Sequence, residues 1–156
     1  MTIGVYGFDA RSFLAALRVA DVGLLLDVRQ RRGVRGSEYS WANSLRLQAA
    51  MSQAEIAYRH HPDLAPTTEL RQLQYREDGR LGVGKRSRVA LAAEYVERYT
   101  REILDGADLG AVVEEMPPDG AAALLCVERD PEACHRMLIA NRLAEENDIS
   151  VSHLRP

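Results

Sequence analysis

The sequence predicts an α/β fold: a three-layer sandwich with a mainly parallel sheet of about five strands flanked by helices. Three observations carry this. Short apolar runs alternate with stretches whose apolar residues recur at helical spacing. The run VGLLLDV at 22–28 is apolar on both faces until Asp27, as a strand covered by helices on both sides must be. The chain has 156 residues, enough for one domain, so a single α/β domain over 1–156 is expected.

Residues 2–6 are β-branched and apolar and close at Gly7, giving strand one. Asp9 is placed to cap a helix over 10–20, with Phe13, Leu14, Leu17 and Ala20 on one stripe. Strand two follows at 22–28, then an arginine- and glycine-rich loop at 29–40. Ser40 can cap a helix from Trp41 to about Gln53, and 56–60 form strand three. Residues 62–84 mix proline, glycine and charge without a clear period. An exposed insertion with some helix is expected there, at about 62–86. The strongest helical pattern runs over 87–104, where Leu91, Tyr95, Val96 and Tyr99 repeat at helical spacing. A short helix at 108–115 is broken by Pro117, Pro118 and Gly120. Strand four is 121–127, its following helix 131–147, and strand five 149–154. Asp130 before Pro131 reads as the N-cap and first residue of that last helix, which puts Cys134 at its first turn. There is no internal repeat and no low-complexity tract.

Composition excludes some function classes. No run approaches the length of a membrane span, and Met1 leads directly into strand one, so a cytoplasmic protein without membrane association is expected. The net charge of -3 gives no global field to attract nucleic acid. Local charge is another matter. Of 20 basic residues, Lys85 is the one lysine and the rest are arginines, whose planar forks suit phosphate and carboxylate.

Three groups of residues can carry chemistry. The first is the segment 121–136, AAALLCVERDPEACHR, which holds both cysteines. A helix N-terminus favours thiolate, so Cys134 is a candidate nucleophile, with Glu128 and His135 beside it. The competing reading of Cys134 and Cys126 is core filling. His135 and Arg136 at the helix start can grip an anion or face solvent. No metal or other cofactor is expected. Cys126 and Cys134 stand eight positions apart, no compact zinc spacing, and adjacent helical residues such as Cys134 and His135 diverge by about 100°. A disulfide between the cysteines stays open. The second group is Asp27 and Arg29, which share one side of a strand end, followed by Arg31, Arg32 and Arg35. Parallel strands gather their carboxyl ends, so these residues should meet Cys126 and Glu128 at one edge. The third is Tyr58-Arg59-His60-His61, where His60 or His61 can act as a base and His60 can hold an anion.

These segments together resemble a family of bacterial and archaeal proteins grouped as domain of unknown function 488. The likeness runs through TIGVYGFDARSFLAAL, LLLDVR, the arginine loop, IAYRHHPDL and above all LLCVERDPEACHR with the closing VSHL. It departs at Val5-Tyr6, where the family has histidine and serine, and at Ala65-Pro66, where it has two glycines. The resemblance implies an α/β sandwich with a polar site built from Asp27, Arg29, Cys126, Glu128, Cys134, His135 and Arg136, and it supplies no reaction.

The leading expectation is a small enzyme acting on an anionic, phosphate-bearing substrate, a nucleotide or nucleic acid. Cys134, His135, Glu128 and Asp27 would be catalytic; Arg29, Arg35, Arg136 and His60 would bind the anion. The alternatives are a non-catalytic nucleotide or nucleic-acid binding module, and an interaction domain in which the polar motif is an internal brace.

Overall fold

The computed structural model describes residues 1–156. In chain order it contains β1 (Thr2–Gly4), α1 (Ala10–Val19), β2 (Val22–Asp27), α2 (Ser44–Gln53), β3 (Ala57–His60), α3 (Thr68–Arg80), α4 (Ala93–Glu102), α5 (Leu109–Glu114), β4 (Ala121–Cys126), α6 (His135–Asn147) and β5 (His153–Leu154). The strands form one sheet in the order β3-β2-β4-β1-β5, and every neighbouring pair is parallel.

This order fixes the layers. The β1-to-β2 and β2-to-β3 connections step one way across the sheet; β3-to-β4 and β4-to-β5 step the other. Right-handed crossovers therefore put α1 and α2 on one face and α3 to α6 on the opposite face. Packing agrees. Phe13 of α1 meets Trp41, just before α2, at 4.9 Å between ring centroids, while α4 packs against both α3 and α6. Because the segments leaving β2 and β4 depart to opposite faces, a crevice must open beyond the carboxyl ends of these two adjacent strands.

Local chemistry explains the elements. Asp9 and Ser12 form a reciprocal capping box: the Ser12 N–H donates to Asp9 Oδ1 at 2.7 Å and the Asp9 N–H to Ser12 Oγ at 3.0 Å. α1 then buries Phe13 and Leu17, each worth about 1.5–3 kcal/mol of transfer free energy. In β2, Leu24, Leu25 and Leu26 are all buried, as a strand covered on both faces requires. One apolar cluster links both helix layers through the sheet.

Several boundaries differ from the sequence expectation, each for a local reason. The expected α-helix from Trp41 is a 3₁₀ turn over Ser37–Ala42, and α2 starts at Ser44 after an extended Asn43. Residues 62–86, expected as an exposed insertion with some helix, carry α3, which Thr67 caps and which buries Leu70, Leu73, Gln74 and Asp78 against the rest of the fold. The pattern over 87–104 is helical only from Ala93, because Arg88 is drawn into an ion pair and leaves 87–92 irregular. The last helix does not start at Pro131. A 3₁₀ turn spans Pro131–Ala133, Cys134 is extended at φ -142° and ψ 140°, and α6 begins at His135.

Candidate active site

A cavity of about 490 Å³ opens at the carboxyl edge of the sheet. β2 supplies its continuation at Arg29, β4 supplies Cys126 and its continuation Glu128, and the start of α6 supplies Cys134 and His135. Residues 30–35 form one side of the rim, and α3 with the segment before α4 forms the other. This is the crevice that the strand order demands.

The floor is a compact buried cluster. Cys126 Sγ lies 3.2 Å from Glu128 Oε2 and donates to it. His135 Nδ1 is 3.8 Å from Cys134 Sγ and 3.9 Å from Cys126 Sγ. His135 Nε2 lies 3.0 Å from the Val28 carbonyl oxygen, which can only accept, so this nitrogen carries a proton and Nδ1 faces the sulfurs. Tyr99 tilts against the imidazole with centroids 5.5 Å apart. The extended backbone at Cys134 makes this convergence possible. Two successive helical residues would diverge, whereas the turn into α6 swings the Cys134 sulfur and the His135 ring onto the same group.

The two thiols are electrostatically unequal. Burial alone would raise the Cys134 thiol, but the neighbouring Cys126 thiol and the charges of Arg136 and His135 outweigh it and hold it well below the ordinary thiol range. Cys126 is pushed far up by the adjoining Cys134 sulfur, by burial and by the neighbouring negative charges. One proton thus stays on Cys126. Burial lowers the His135 imidazole, yet the Cys134 charge and hydrogen bond, with the Val28 carbonyl and Glu128, raise it overall.

Two arginines frame this floor from inside the protein. The Arg29 guanidinium forms a fork on Asp27, Nε to Oδ1 at 2.8 Å and Nη2 to Oδ2 at 2.7 Å, and Nη1 donates to the Ala42 carbonyl at 2.9 Å. Tyr58 Oη donates to the same carboxylate at 2.5 Å. Arg136 is buried with Nη1 donating to the Glu128 carbonyl at 2.6 Å and Nη2 to the Arg129 carbonyl at 2.9 Å. It thereby fixes the backbone that carries Glu128. Gly4 lets this backbone approach β1: a Cβ there would sit 2.0 Å from the Glu128 carbonyl oxygen.

The rim is cationic. Arg31, Arg35, Arg71, Lys85 and Arg88 line it with Arg29, against the single carboxylate of Glu128. Lys85 Nζ lies 3.4 Å from Glu128 Oε1 and Arg88 Nη1 lies 3.8 Å from it. Arg88 is anchored below by an ion pair with buried Asp78, which Gln74 also holds at 2.9 Å. Arg71 donates to Gln30, tying α3 to the opposite rim. Arg31 and Arg35 are exposed and form no ion pair.

The structure thus brings together Glu128, Cys134, His135, Arg29 and Arg35 of the expected residues. Three others are placed differently. Arg136 does not line the cavity, because carbonyl oxygens occupy its guanidinium. Asp27 sits beneath Arg29 as its counter-ion. His60 turns its Nε2 to the Arg29 carbonyl at 3.0 Å, outside the cavity. Sequence reasoning missed Arg71, Lys85 and Arg88. Their signal was available: Arg71 and Lys85 are among the basic residues of the segment read as an insertion and Arg88 follows just after it, and only the folding of this stretch back over the sheet edge gives them a role.

Comparison with known proteins gives one match. The family model described as "Domain of unknown function DUF488" aligns with residues 9–143 of the 156. No curated protein and no solved structure matched the chain. No helix is long and apolar enough to cross a membrane.

Proposed function

The chain belongs to the DUF488 family, and from that premise we propose that it is an enzyme acting on an anionic, phosphate-bearing substrate, a nucleotide or a nucleic-acid strand. One observation carries this reading. Six cationic side chains and one carboxylate line a cavity whose floor presents Cys134 and His135. In such a site, the exposed Arg31 and Arg35 meet the phosphate first, while Arg71, Lys85 and Arg88 draw it inward. The anion displaces little existing pairing at Arg31 and Arg35, so its charge is gained by the complex at low desolvation cost. Cys134 or His135 then supplies the reacting group, and Glu128 orients it. Confinement within a walled cavity strengthens each of these charge interactions relative to open solvent.

The reading is tested with a fluorescent single-stranded oligonucleotide, with ATP and inorganic phosphate as competitors. Affinity should fall steeply with salt, with a slope of about -3 if some four phosphates are neutralised. The Arg31→Glu and Arg35→Glu double variant should weaken binding by at least about 100-fold. Cys134→Ser should leave binding within a few-fold and abolish whatever hydrolytic or transfer activity a substrate panel reveals. Absence of binding to all three probes at low salt would refute the proposal.

A further inference from the structure

We propose that Cys126, Cys134 and His135 form a metal-binding site for a thiolate-preferring divalent ion such as zinc, with its fourth position open to the cavity. The three donor atoms all lie within 4.8 Å of one another, and all three residues are buried. Zinc–sulfur and zinc–nitrogen bonds of about 2.3 and 2.0 Å at tetrahedral angles place sulfur and nitrogen donors about 3.5 Å apart. The observed separations from His135 Nδ1, 3.8 Å to one sulfur and 3.9 Å to the other, lie within a few tenths of an ångström of that spacing. Three donors for a tetrahedral ion are therefore gathered, two sulfurs and one imidazole nitrogen, and binding of the ion releases the Cys126 proton to leave two thiolates.

A second feature independently fits an ion. The remote nitrogen of His135 is held by the Val28 carbonyl at 3.0 Å, the outer-shell bond that fixes the tautomer and ring direction of a metal-binding histidine. That bond leaves Nδ1 available to a ligand. The usual geometric objection to adjacent Cys and His ligands applies to helical residues. It does not apply here, since Cys134 is extended and only His135 enters the helix.

The surrounding charges are compatible. Two thiolates cancel the charge of a divalent ion, so a loaded site adds no net positive charge beside Lys85 and Arg88. Glu128 Oε2, 3.2 Å from Cys126 Sγ, stands next to the cluster while its other oxygen is engaged by Lys85. Because Cys126, Cys134 and His135 also line the cavity, an ion among them would face the space in which an anion binds. Three protein ligands with one open position is the arrangement of a catalytic centre, as opposed to a closed structural one; with an ion bound, Cys134 and His135 hold it and are not themselves the reacting groups.

The test uses the whole chain and cobalt(II) alone, so it needs no substrate and is independent of the phosphate reading. Protein treated with a chelator and dialysed is titrated with cobalt(II) chloride under exclusion of air. The expected result is saturation at one equivalent, with a near-ultraviolet thiolate-to-cobalt band and the visible bands of a tetrahedral site, both displaced by zinc. Cys126→Ser and Cys134→Ser should each reduce the near-ultraviolet band to about half or less, with circular dichroism confirming the fold. A readout on unmodified protein guards against variants that do not fold: one equivalent of zinc should slow reaction of both thiols with a disulfide reagent at least about 10-fold. Cobalt binding without the thiolate band, or zinc that leaves both thiols equally reactive, overturns the proposal. Metal binding together with failure of every phosphate probe would sustain this site and remove the phosphate reading; the reverse would do the opposite.

Discussion

Replacing Arg29 by methionine separates a bracing role from a binding role. The two charged side chains of this pair are 1% and 0% exposed. Methionine keeps much of the aliphatic stem and removes the three donated hydrogen bonds, two to Asp27 and one to Ala42. The Asp27 carboxylate then stays buried with the Tyr58 hydroxyl and the backbone N–H of residue 29 as its remaining donors. Breaking a buried pair from one side costs about 3–5 kcal/mol. At about 2–4 °C per kcal/mol for a domain of this size, the melting temperature should fall by some 6–20 °C. Removing both charges, with Asp27→Leu added, should recover most of the loss, because no isolated charge is left in the interior. Urea denaturation followed by circular dichroism measures both variants, with the slope of the transition checked for constancy. A loss below about 1 kcal/mol in Arg29→Met, accompanied by a large drop in oligonucleotide affinity, would refute the brace and return this arginine to the substrate.

Two further outcomes follow from the same interior. Gly4→Ala should destabilise the fold by at least about 2 kcal/mol, since its Cβ meets a backbone oxygen that Arg136 holds in place; an unchanged urea midpoint would show that the strand yields easily. Burial raises the Asp78 carboxyl, but hydrogen bonds from Arg88 and Gln74 and the charge of Arg88 hold it below its ordinary value. Its folded value is thus lower than its unfolded one, so the stability it confers is present above about pH 4 and is lost as pH falls through the folded value. Asp78→Asn should be less stable at neutral pH yet decline less steeply between pH 6 and 3. A parallel decline in both proteins would mean that the pair contributes nothing to the acid limb.

Much of the fold was legible because parallel strands and helices leave different periods in the sequence. VGLLLDV could only be a covered strand, and Asp27 with Arg29 two positions later identified its own partner. The convergence of β2 and β4 at one edge followed from parallel topology alone. Two things were hidden. Residues 62–86 carry their apolar positions too sparsely for a helical period to stand out, so α3 and the cations that follow it looked like a surface excursion. The start of α6 was misplaced because Asp130-Pro131 is a good helix opening, yet it opens only a 3₁₀ turn. The Asp130 carboxylate is drawn to Arg129 and Arg155 instead of to the backbone. That shift of four residues decides how Cys134 and His135 face each other, and residue types alone do not encode it.

The cavity is assembled from two kinds of chain. Its floor comes from a strand end and the entry to a helix, positions 126–135, where the Glu128 carbonyl is held by Arg136 on one side and by the close approach of Gly4 on the other. Its mouth comes from 30–35 and 66–91, whose side chains largely reach inward from loops and from one helix face. If the cavity binds an anion as proposed, exchanging mouth residues would retune which one enters while the floor groups keep their positions, as where variable loops are mounted on a rigid scaffold. A chimera that transplants 66–91 should therefore change ligand preference and leave the floor's chemistry intact, which makes this segment the natural place to re-engineer specificity.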